Sequence, residues 1–293
     1  MNELKVIPLG NSNINSIYKI TFENRDYVLR ISNYNNIFES KVLKKLKTEN
    51  INCPTIRENL LIDNKYIMIC NYINGYSPNQ IDMTIIRKLL LEVKKLHKVK
   101  FDYIEDENVN YESIEKLKEY NKVAIKSKYL ERESAFISNC IKRIDDNLEL
   151  DILPTNIIHS DIKSENIIVN DKGVYLIDFG NAYIGNRLID IIRIIMWFFI
   201  RYDNYDLEKI QEVIDMYFDD NDGLTVEELY SIDELLEFCL LYNLLKDIYL
   251  FENNVLKKEY IESCSLKWLE ALKNSKNLEN IMEVLKNAKR LTK

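Results

Sequence analysis

Strand-like patterns in this chain are confined to its first 75 residues and to one short stretch near its middle. In the first part, apolar and polar residues alternate as they do in half-buried strands, and polar turn residues separate the segments. One helical repeat from Phe38 to Leu46 interrupts them, and Asn35 or Asn36 is a suitable N-cap. We therefore predict a small antiparallel sheet with one helix, in the order β-β-β-α-β-β. The strand-like segments are residues 5–9, 14–22, 27–31, 56–62 and 66–72.

From residue 80 onward the pattern becomes helical, because apolar residues recur at every third or fourth position. The exception is residues 157–178, which read as short strands around a turn. Gly75 marks the boundary between the two kinds of structure. The sequence thus predicts an α+β chain with two lobes, a β-rich N-terminal lobe at 1–74 and a larger, mainly helical C-terminal lobe at 75–293.

The C-terminal half carries further helix signals. Thr225 and Ser231 are each followed three residues later by Glu, which is the capping-box pattern that opens helices. The longest apolar run, Leu188 to Ile200, contains two charged residues and is too short to span a bilayer. We predict that this run is a buried core helix.

The net charge of −7 argues against a broad nucleic-acid surface. The acidity is concentrated at 201–240, which holds thirteen acidic and two basic residues. This acidic segment suits a cationic partner, although a solvated helix face is the more common explanation. The five cysteines form no CxxC pair, so neither a disulfide framework nor a zinc site is indicated. The N-terminus lacks a basic stretch followed by an apolar core, which predicts a cytoplasmic protein.

The middle stretch contains the residues that can carry chemistry. Asp161 lies five residues before Asn166, and Asp178 follows after a predicted hairpin. Phosphoryl transfer needs a carboxylate that accepts the proton of the attacking hydroxyl, together with oxygen ligands that place Mg²⁺ on the nucleotide phosphates. Asp161 fits the first role, and Asn166 with Asp178 fits the second, because Mg²⁺ accepts few protein ligands. The pattern therefore predicts a Mg²⁺-dependent phosphotransferase.

These residues stand in two motifs, H-x-D-x-x-x-x-N from His159 to Asn166 and D-F-G from Asp178 to Gly180. They resemble the catalytic and metal loops of kinases, and more narrowly those of the aminoglycoside phosphotransferase/choline kinase family. Protein kinases continue with a long segment that ends in A-P-E, whereas here Asp190 follows Asp178 after only twelve residues and no A-P-E appears. The resemblance implies a two-lobed, protein-kinase-like fold in which Asp190 braces the catalytic loop.

The same resemblance assigns roles in the N-terminal lobe. Arg30 stands where relatives have a basic residue that holds the α- and β-phosphates, and Glu39 stands where a helix carboxylate pairs with it. The turn with Ser12 and Asn13 is similar to the one that covers the nucleotide, although it has one glycine where relatives often have two. Backbone groups from Asn71 to Ile73 are expected to meet the adenine.

Four other positions bear on the interpretation. Lys163, two residues after Asp161, is typical of protein kinases and is a candidate ligand of the γ-phosphate, which keeps protein-directed activity open. Ser160 occupies a position that is usually Gly in the family. Trp197 and Trp268 suit a cage for a cation, although single aromatic residues on helices usually belong to the core.

We expect an O-phosphotransferase that uses Mg²⁺ with ATP or GTP, binds the nucleotide in the N-terminal lobe and carries out catalysis in the helical lobe. The acidic segment favours a small cationic acceptor, with an aminoglycoside-type antibiotic, and hence antibiotic resistance, as the first candidate. Choline or another amino alcohol is the alternative, followed by a protein substrate. A nucleotide-binding module without turnover is disfavoured by the intact motifs. The expected partners are a nucleotide and a small-molecule acceptor, without nucleic acid or membrane, in a monomer or weak dimer.

Overall fold

The computed structural model describes residues 4–11, 15–79, 82–100, 111–219 and 223–288. Ser12 and Asn13 lie outside these ranges, and their phosphate-binding role stays a prediction. Contacts between Cα atoms divide the chain into two compact units, each made from two separate stretches of sequence. The predicted boundary between the lobes, after residue 74, is placed where strand patterns give way to helical patterns in the sequence. It stays a prediction. Unit 1 is Met1–Asn110 with Ser164–Tyr183, and unit 2 is Tyr111–Lys163 with Ile184–Lys293.

Secondary structure follows the two patterns of the sequence, with most strands early in the chain and most helices late. The strands of the described residues are β1 (Lys5–Asn11), β2 (Asn15–Phe22), β3 (Arg25–Ser32), β4 (Ile56–Ile62), β5 (Lys65–Asn71), β6 (Asn156–Ile158), β7 (Ile167–Asn170), β8 (Gly173–Leu176) and β9 (Tyr183–Gly185). The helices are α1 (Ile37–Thr48), α2 (Met83–Lys98), α3 (Ile114–Ala124), α4 (Ser134–Asn147), α5 (Leu188–Phe198), α6 (Leu207–Tyr217), α7 (Val226–Glu252), α8 (Lys258–Tyr260), α9 (Leu266–Lys273) and α10 (Ser275–Lys286). A π-helical turn, Ile261–Ser265, joins α8 to α9.

Unit 1 is built on a five-stranded antiparallel sheet in the order β1-β2-β3-β5-β4. Two of its hairpins close at Glu23-Asn24 and Asp63-Asn64, where positive φ angles match the right-handed twist of the flanking strands. Helix α1 connects β3 to β4. The predicted order β-β-β-α-β-β is therefore confirmed.

Helix α1 buries one face that is apolar apart from Glu39 and Ser40. A buried carboxylate needs a partner, and the partner of Glu39 is described with the site below. At the start of the helix, Asn36 occupies the N-cap position without a capping hydrogen bond from its side chain. The cap comes instead from Asn35, whose Oδ1 accepts the N–H of Ile37 at 2.9 Å.

The segment after β5 passes close to the hairpin of β7 and β8. Tyr76 forms a β-bridge with Val169, in which the N–H to O distances are 3.1 and 2.9 Å in the two directions. A Cβ atom on Gly75 would lie 2.6 Å from both the Ile168 side chain and the Val169 carbonyl oxygen. Glycine at position 75 therefore allows the two backbone segments to approach this closely.

We expect Gly75→Ala to destabilise unit 1 by about 1–3 kcal/mol, because the added methyl group overpacks against the backbone of the hairpin. The measurement is the midpoint of thermal unfolding, followed by circular dichroism. Ser77→Ala, two residues further on and exposed, is the control and should leave the midpoint nearly unchanged. Equal midpoints for Gly75→Ala and the parent chain would show that the contact carries little of the stability.

Unit 2 is mainly helical, with a two-stranded sheet of β6 and β9. Every residue of α5 except Phe198 is buried, so the predicted core helix is confirmed. Its buried Arg193 donates to the Glu112 carboxylate at 2.8 Å and to the Cys239 carbonyl oxygen at 2.9 Å. Among the described residues, no helix combines the length and the apolar character that crossing a bilayer requires.

Two helix starts are predicted from the sequence, at Thr225 and at Ser231, and helix α7 begins at the first of them. Thr225 and Glu228 form the capping box, in which Thr225 Oγ1 accepts the Glu228 N–H at 3.2 Å and Glu228 Oε2 accepts the Thr225 N–H at 3.0 Å. The prediction of a helix start at Ser231 is wrong, because Ser231 is buried inside α7. Only the first turn of a helix has N–H groups that need a cap, and Thr225 already provides it.

Candidate functional site

Unit 1 contains a cavity of about 390 Å³, a volume typical of small-molecule sites. Residues assigned by the sequence analysis to nucleotide or metal line it, namely Arg30, Glu39, Asn71, Ile73, Asn166 and Asp178. Much of the remaining wall is apolar, which suits a flat aromatic base. The apolar side chains include Leu9, Ile17, Val28, Leu43, Met68, Ile168 and Ile177.

Arg30 on β3 is held between two carboxylates. Its guanidinium donates to Glu39 of α1 and lies 3.3 Å from Asp178 Oδ1. Burial alone would lower the pKa of Arg30, but the charge of Glu39 and the hydrogen bond to it raise the pKa, with a further contribution from Asp178. The guanidinium therefore stays charged and fixed in direction, which are the properties that phosphate recognition requires.

The segment after β5 offers a backbone donor to the cavity. The Tyr72 N–H donates to the Asp26 carbonyl oxygen at 3.1 Å. In an extended chain, successive residues direct their backbone groups to opposite sides, so those of Asn71 and Ile73 point away from Asp26. The Asn71 N–H donates to the Thr55 carbonyl oxygen at 2.9 Å, whereas the Ile73 N–H has no partner among the described residues. Ile73 lines the cavity. Its N–H can donate to a ring nitrogen of a purine.

Asn166 and Asp178 supply oxygen atoms to the same cavity. The Ile177 N–H donates to the Asn166 carbonyl oxygen at 3.0 Å, which ties the residue before Asp178 to the end of the loop. Asp178 adopts a left-handed φ of 61°, and its side chain is 48% exposed. One amide and one carboxylate are the hard donors that Mg²⁺ accepts, and the exposed carboxylate leaves space for the waters that the ion retains. These residues therefore fit Mg²⁺.

In unit 2, a buried carboxylate fixes the loop that contains Asp161. Asp190 in α5 is fully buried and accepts the backbone N–H groups of His159 at 2.8 Å and Ser160 at 2.7 Å. Ser160 has a φ of 59°, in the left-handed region that favours glycine. The Gly that the resemblance implies for relatives at this position would adopt this conformation without steric cost. Asp190 thus braces the loop in the way that the resemblance implies.

Asp161 pairs directly with Lys163. Lys163 Nζ lies 2.8 Å from Asp161 Oδ2, and the two side chains are 23% and 20% exposed. Burial raises the pKa of Asp161, but the charge and hydrogen bond of Lys163, with smaller contributions from the charges of His159 and Lys246, lower the pKa to about 2. Asp161 is therefore ionised at neutral pH.

Lys163 is in turn held over the ring of Trp197. Its Nζ lies 5.4 Å from the ring centroid, and the Arg201 guanidinium carbon lies 5.0 Å from it. Both distances are within the range of cation–π attraction. Trp268 packs edge-on against Trp197 at 5.1 Å, and both indoles are buried. The two tryptophans belong to the core, and the cations over Trp197 are side chains of this same unit.

The acidic segment at 201–240 is partly neutralised by local ion pairs. Five of its carboxylates pair with basic side chains of unit 2. These pairs weaken the sequence-based argument that the segment favours a small cationic acceptor. The pairs are Asp203–Lys267, Asp206–Lys209, Glu228–Arg187, Asp233–Lys286 and Glu237–Arg143.

Sequence reasoning missed two charged residues of α7, Lys246 and Asp247, whose charges act on Asp161 or respond to it. Burial raises the pKa of Asp247 to about 6, against the hydrogen bond from Ser265 and the charges of Lys246 and Lys163. One signal was available in the sequence. Residues 238–251 are largely apolar, and Lys246 and Asp247 are the only charged residues among them.

The site residues predicted from the sequence thus fall into two groups, one in each unit. Those in unit 1 that the structure describes line one cavity, and those in unit 2 are the paired Asp161 and Lys163. The catalytic and binding roles of all these residues stay predictions.

Residues 5–222 match the model of the phosphotransferase enzyme family, APH. Because the match covers well over half of the chain, the chain belongs to this family. The sequence has no match among curated proteins. The predictions of the family and of a small-molecule phosphotransferase are therefore confirmed.

Solved structures with the same fold include several small-molecule kinases. Spectinomycin phosphotransferase in complex with ADP and spectinomycin has a TM-score of 0.63 at 15% identity, with 97% of this chain and 92% of that chain covered. Choline kinase from Streptococcus pneumoniae has a TM-score of 0.65 at 18% identity, covering 93% and 94%. Plasmodium vivax ethanolamine kinase has a TM-score of 0.70 at 17% identity, covering 95% and 84%. At these identities the likeness shows the fold, and it confirms a protein-kinase-like α+β fold with an antiparallel sheet lobe and a larger helical lobe.

We expect Asp190→Asn to destabilise the chain by about 1–3 kcal/mol, because an amide NH₂ replaces one of the two buried acceptors and leaves a loop N–H unpaired. The measurement is the free energy of unfolding in urea. Asp215→Asn on the exposed face of α6 is the control, since it makes the same chemical change at the surface. Equal losses in the two variants would contradict the bracing role.

Proposed function

We propose that this chain transfers the γ-phosphate of ATP or GTP to a hydroxyl group of a small molecule that carries an amino group, with Mg²⁺ as cofactor. The observation that carries the proposal is the cavity of unit 1. A fixed guanidinium, an amide, a carboxylate and a backbone N–H without a partner among the described residues line the same space. These are the groups that recognise a nucleotide and its metal.

In this proposal, Arg30 binds the phosphates with the support of Glu39, and Asn166 and Asp178 hold Mg²⁺. The bound ion would neutralise charge on the phosphates. Asp161 orients the acceptor hydroxyl and accepts its proton as the hydroxyl oxygen attacks the γ-phosphorus. The bond from the γ-phosphorus to the bridging oxygen breaks, and the nucleoside diphosphate leaves with that oxygen. A carboxylate with a pKa of about 2 is a weak base, so its contribution lies more in orientation than in early proton removal.

The acceptor class is supported by the related structures, which are named for spectinomycin, choline and ethanolamine. All three compounds contain an amino or ammonium nitrogen beside hydroxyl groups. An aminoglycoside-type antibiotic, which would make the chain a resistance enzyme, and an amino alcohol are both retained as candidates. The ion pairs within the acidic segment weaken the reason to place the aminoglycoside first.

The proposal is tested by nucleoside-diphosphate release with ATP or GTP across aminoglycosides, choline and ethanolamine. We expect release above the acceptor-free rate with at least one amine, and we expect chelation of Mg²⁺ to abolish it. If no amine stimulates release, the proposed acceptor class is wrong. Radiolabelled ATP that marks protein in place of a small molecule would favour the protein-directed alternative.

We expect Asp161→Asn to lower kcat with the active acceptor by about 10²–10⁴-fold, because an amide cannot accept the hydroxyl proton. The dissociation constant of Mg-ADP, measured by calorimetry, should stay the same, since the predicted nucleotide ligands belong to unit 1. Asp171→Asn in the exposed turn between β7 and β8 is the matched control. Retained turnover in Asp161→Asn would remove Asp161 from the catalytic role.

We expect Lys163→Met to move the acid limb of the kcat–pH profile upward. Without the lysine, its charge and hydrogen bond no longer oppose the effect of burial, so the pKa of Asp161 rises from about 2 toward its usual value of about 3.9. The ionised, active form is then lost at a higher pH as the solution is acidified. The measurement is kcat between about pH 4.5 and 8, normalised to each plateau, with exposed Lys276→Met as the control. Superimposable profiles would contradict the assigned ion pair.

A further inference from the structure

Two side chains of helix α5 contact the loop that contains Asp161. Asp190 accepts two backbone N–H groups of this loop, as described above. Trp197 follows seven residues later, close to two helical turns, so both side chains leave α5 in nearly the same direction. The ring centroid of Trp197 lies 5.4 Å from the Nζ of Lys163. One face of α5 thus contacts residues on both sides of Asp161 in the sequence.

The indole of Trp197 is a fixed part of the core. Trp197 is 4% exposed, and the fully buried Trp268 of α9 packs edge-on against it. The two ring centroids are 5.1 Å apart, and the ring planes meet at 79°. Close packing on both helices leaves the ring little freedom to rotate. The negative potential of the ring face therefore has a fixed direction, and it draws a cation to a defined place.

Lys163 is the flexible member of this group. Its ammonium stands at the end of a four-carbon chain, which loses much rotational freedom when it is held in one place. The ion pair with Asp161, 2.8 Å between Nζ and Oδ2, joins two partly exposed side chains. Such a pair compensates little of the lost freedom. The ring of Trp197 supplies a second attraction, which keeps the ammonium near Asp161.

Core packing explains the burial of Trp197 but not the cations that lie around its ring. The Arg201 guanidinium carbon is 5.0 Å from the same ring centroid. An aliphatic side chain of similar volume would fill the core and offer a cation nothing. Among aromatic side chains, tryptophan attracts cations most strongly. The residue type at position 197 therefore fits a role toward a cation as well as a place in the core.

We infer that Trp197 is a positioning residue of the proposed reaction, because its ring holds the Lys163 ammonium beside the Asp161 carboxylate. Trp197 acts on the reaction only through Lys163. With the ring in place, Asp161 keeps its countercharge on one side. Without the ring, the lysine samples several rotamers and the carboxylate loses a fixed partner. This inference rests on the proposed function, in which Asp161 accepts the hydroxyl proton.

A double-mutant cycle tests whether Trp197 acts through Lys163. The variants are Trp197→Leu, Lys163→Met and their combination, and kcat is measured with the active acceptor. In the parent chain we expect Trp197→Leu to lower kcat by about 10-fold, the effect of one desolvated cation–π contact. In the Lys163→Met background it should leave kcat unchanged. Equal factors in the two backgrounds would make Trp197 a merely structural residue and overturn the inference.

Two further variants complete the cycle. Trp197→Phe keeps an aromatic face and should retain most of the activity that Trp197→Leu loses. Arg201→Met is the matched control, because it removes the other cation over the ring and leaves Lys163 in place. It should not lower kcat.

Fluorinated tryptophan tests the same contact if Trp197→Leu does not fold. Fluorine withdraws electron density from the ring face and changes the shape of the indole little. The chain has two tryptophans, so the labelled Trp197→Phe variant, which carries fluorine at Trp268 alone, is the control. We expect kcat to fall with each added fluorine atom in the labelled parent and to stay constant in the control. A kcat that does not depend on fluorination in the parent would contradict the inference.

A spectroscopic measurement separates this inference from the proposed function. The ring current of an indole shifts protons above its face upfield, so the Hε protons of Lys163 should resonate upfield of the other lysines. The signal is assigned by its absence in Lys163→Met, and the shift should disappear in Trp197→Leu. If the shift behaves in this way but no acceptor is phosphorylated, the contact stands and the proposed function is wrong. If an acceptor is phosphorylated but the signal is unshifted, the inference is wrong and the proposed function stands.

Discussion

The buried carboxylate of Asp190 is the interaction on which the loop around Asp161 depends. A fully buried charge is costly unless its oxygen atoms accept hydrogen bonds, and the N–H groups of His159 and Ser160 provide them. In return, the loop is held in a conformation that places Ser160 at a positive φ. These two hydrogen bonds therefore set the direction in which the Asp161 side chain leaves the loop. The pairing of Asp161 with Lys163, and the effect of the Lys246 charge of α7 on the pKa of Asp161, depend on the same direction.

The sheet of unit 1 could be predicted because strand periodicity and turn residues are local properties of the sequence. The cavity residues could be assigned only through the spacing of recognised motifs, since periodicity alone does not show that Arg30 and Asp178 meet across 148 positions. The contact that makes Gly75 necessary was not visible in advance, because it depends on a hairpin about ninety residues further along. Local patterns also misled at Ser231, where a capping sequence lies inside a helix that has already begun.

The charged residues could also be interpreted only in part from the sequence, because their ion-pair partners depend on the tertiary structure. Net charge over forty residues records how many carboxylates a segment contains, but not the partners they meet. Arg143 neutralises Glu237 from another helix, and Arg187 neutralises Glu228. The more informative signal was the rarity of charge at Lys246 and Asp247, because charged residues enter an apolar helix face at a cost. Their relation to Asp161 required the packing of α7.

The interleaved composition of the two units has a consequence during synthesis. When residue 110 has left the ribosome, unit 1 still lacks the hairpin that bridges to Tyr76, and it cannot be completed until residue 183 has emerged. At about 5–20 residues per second, this delay lasts several seconds. Throughout this interval the nascent N-terminal sheet lacks the hairpin. Because each unit combines two separate stretches of sequence, no single truncation of the chain can yield either unit intact.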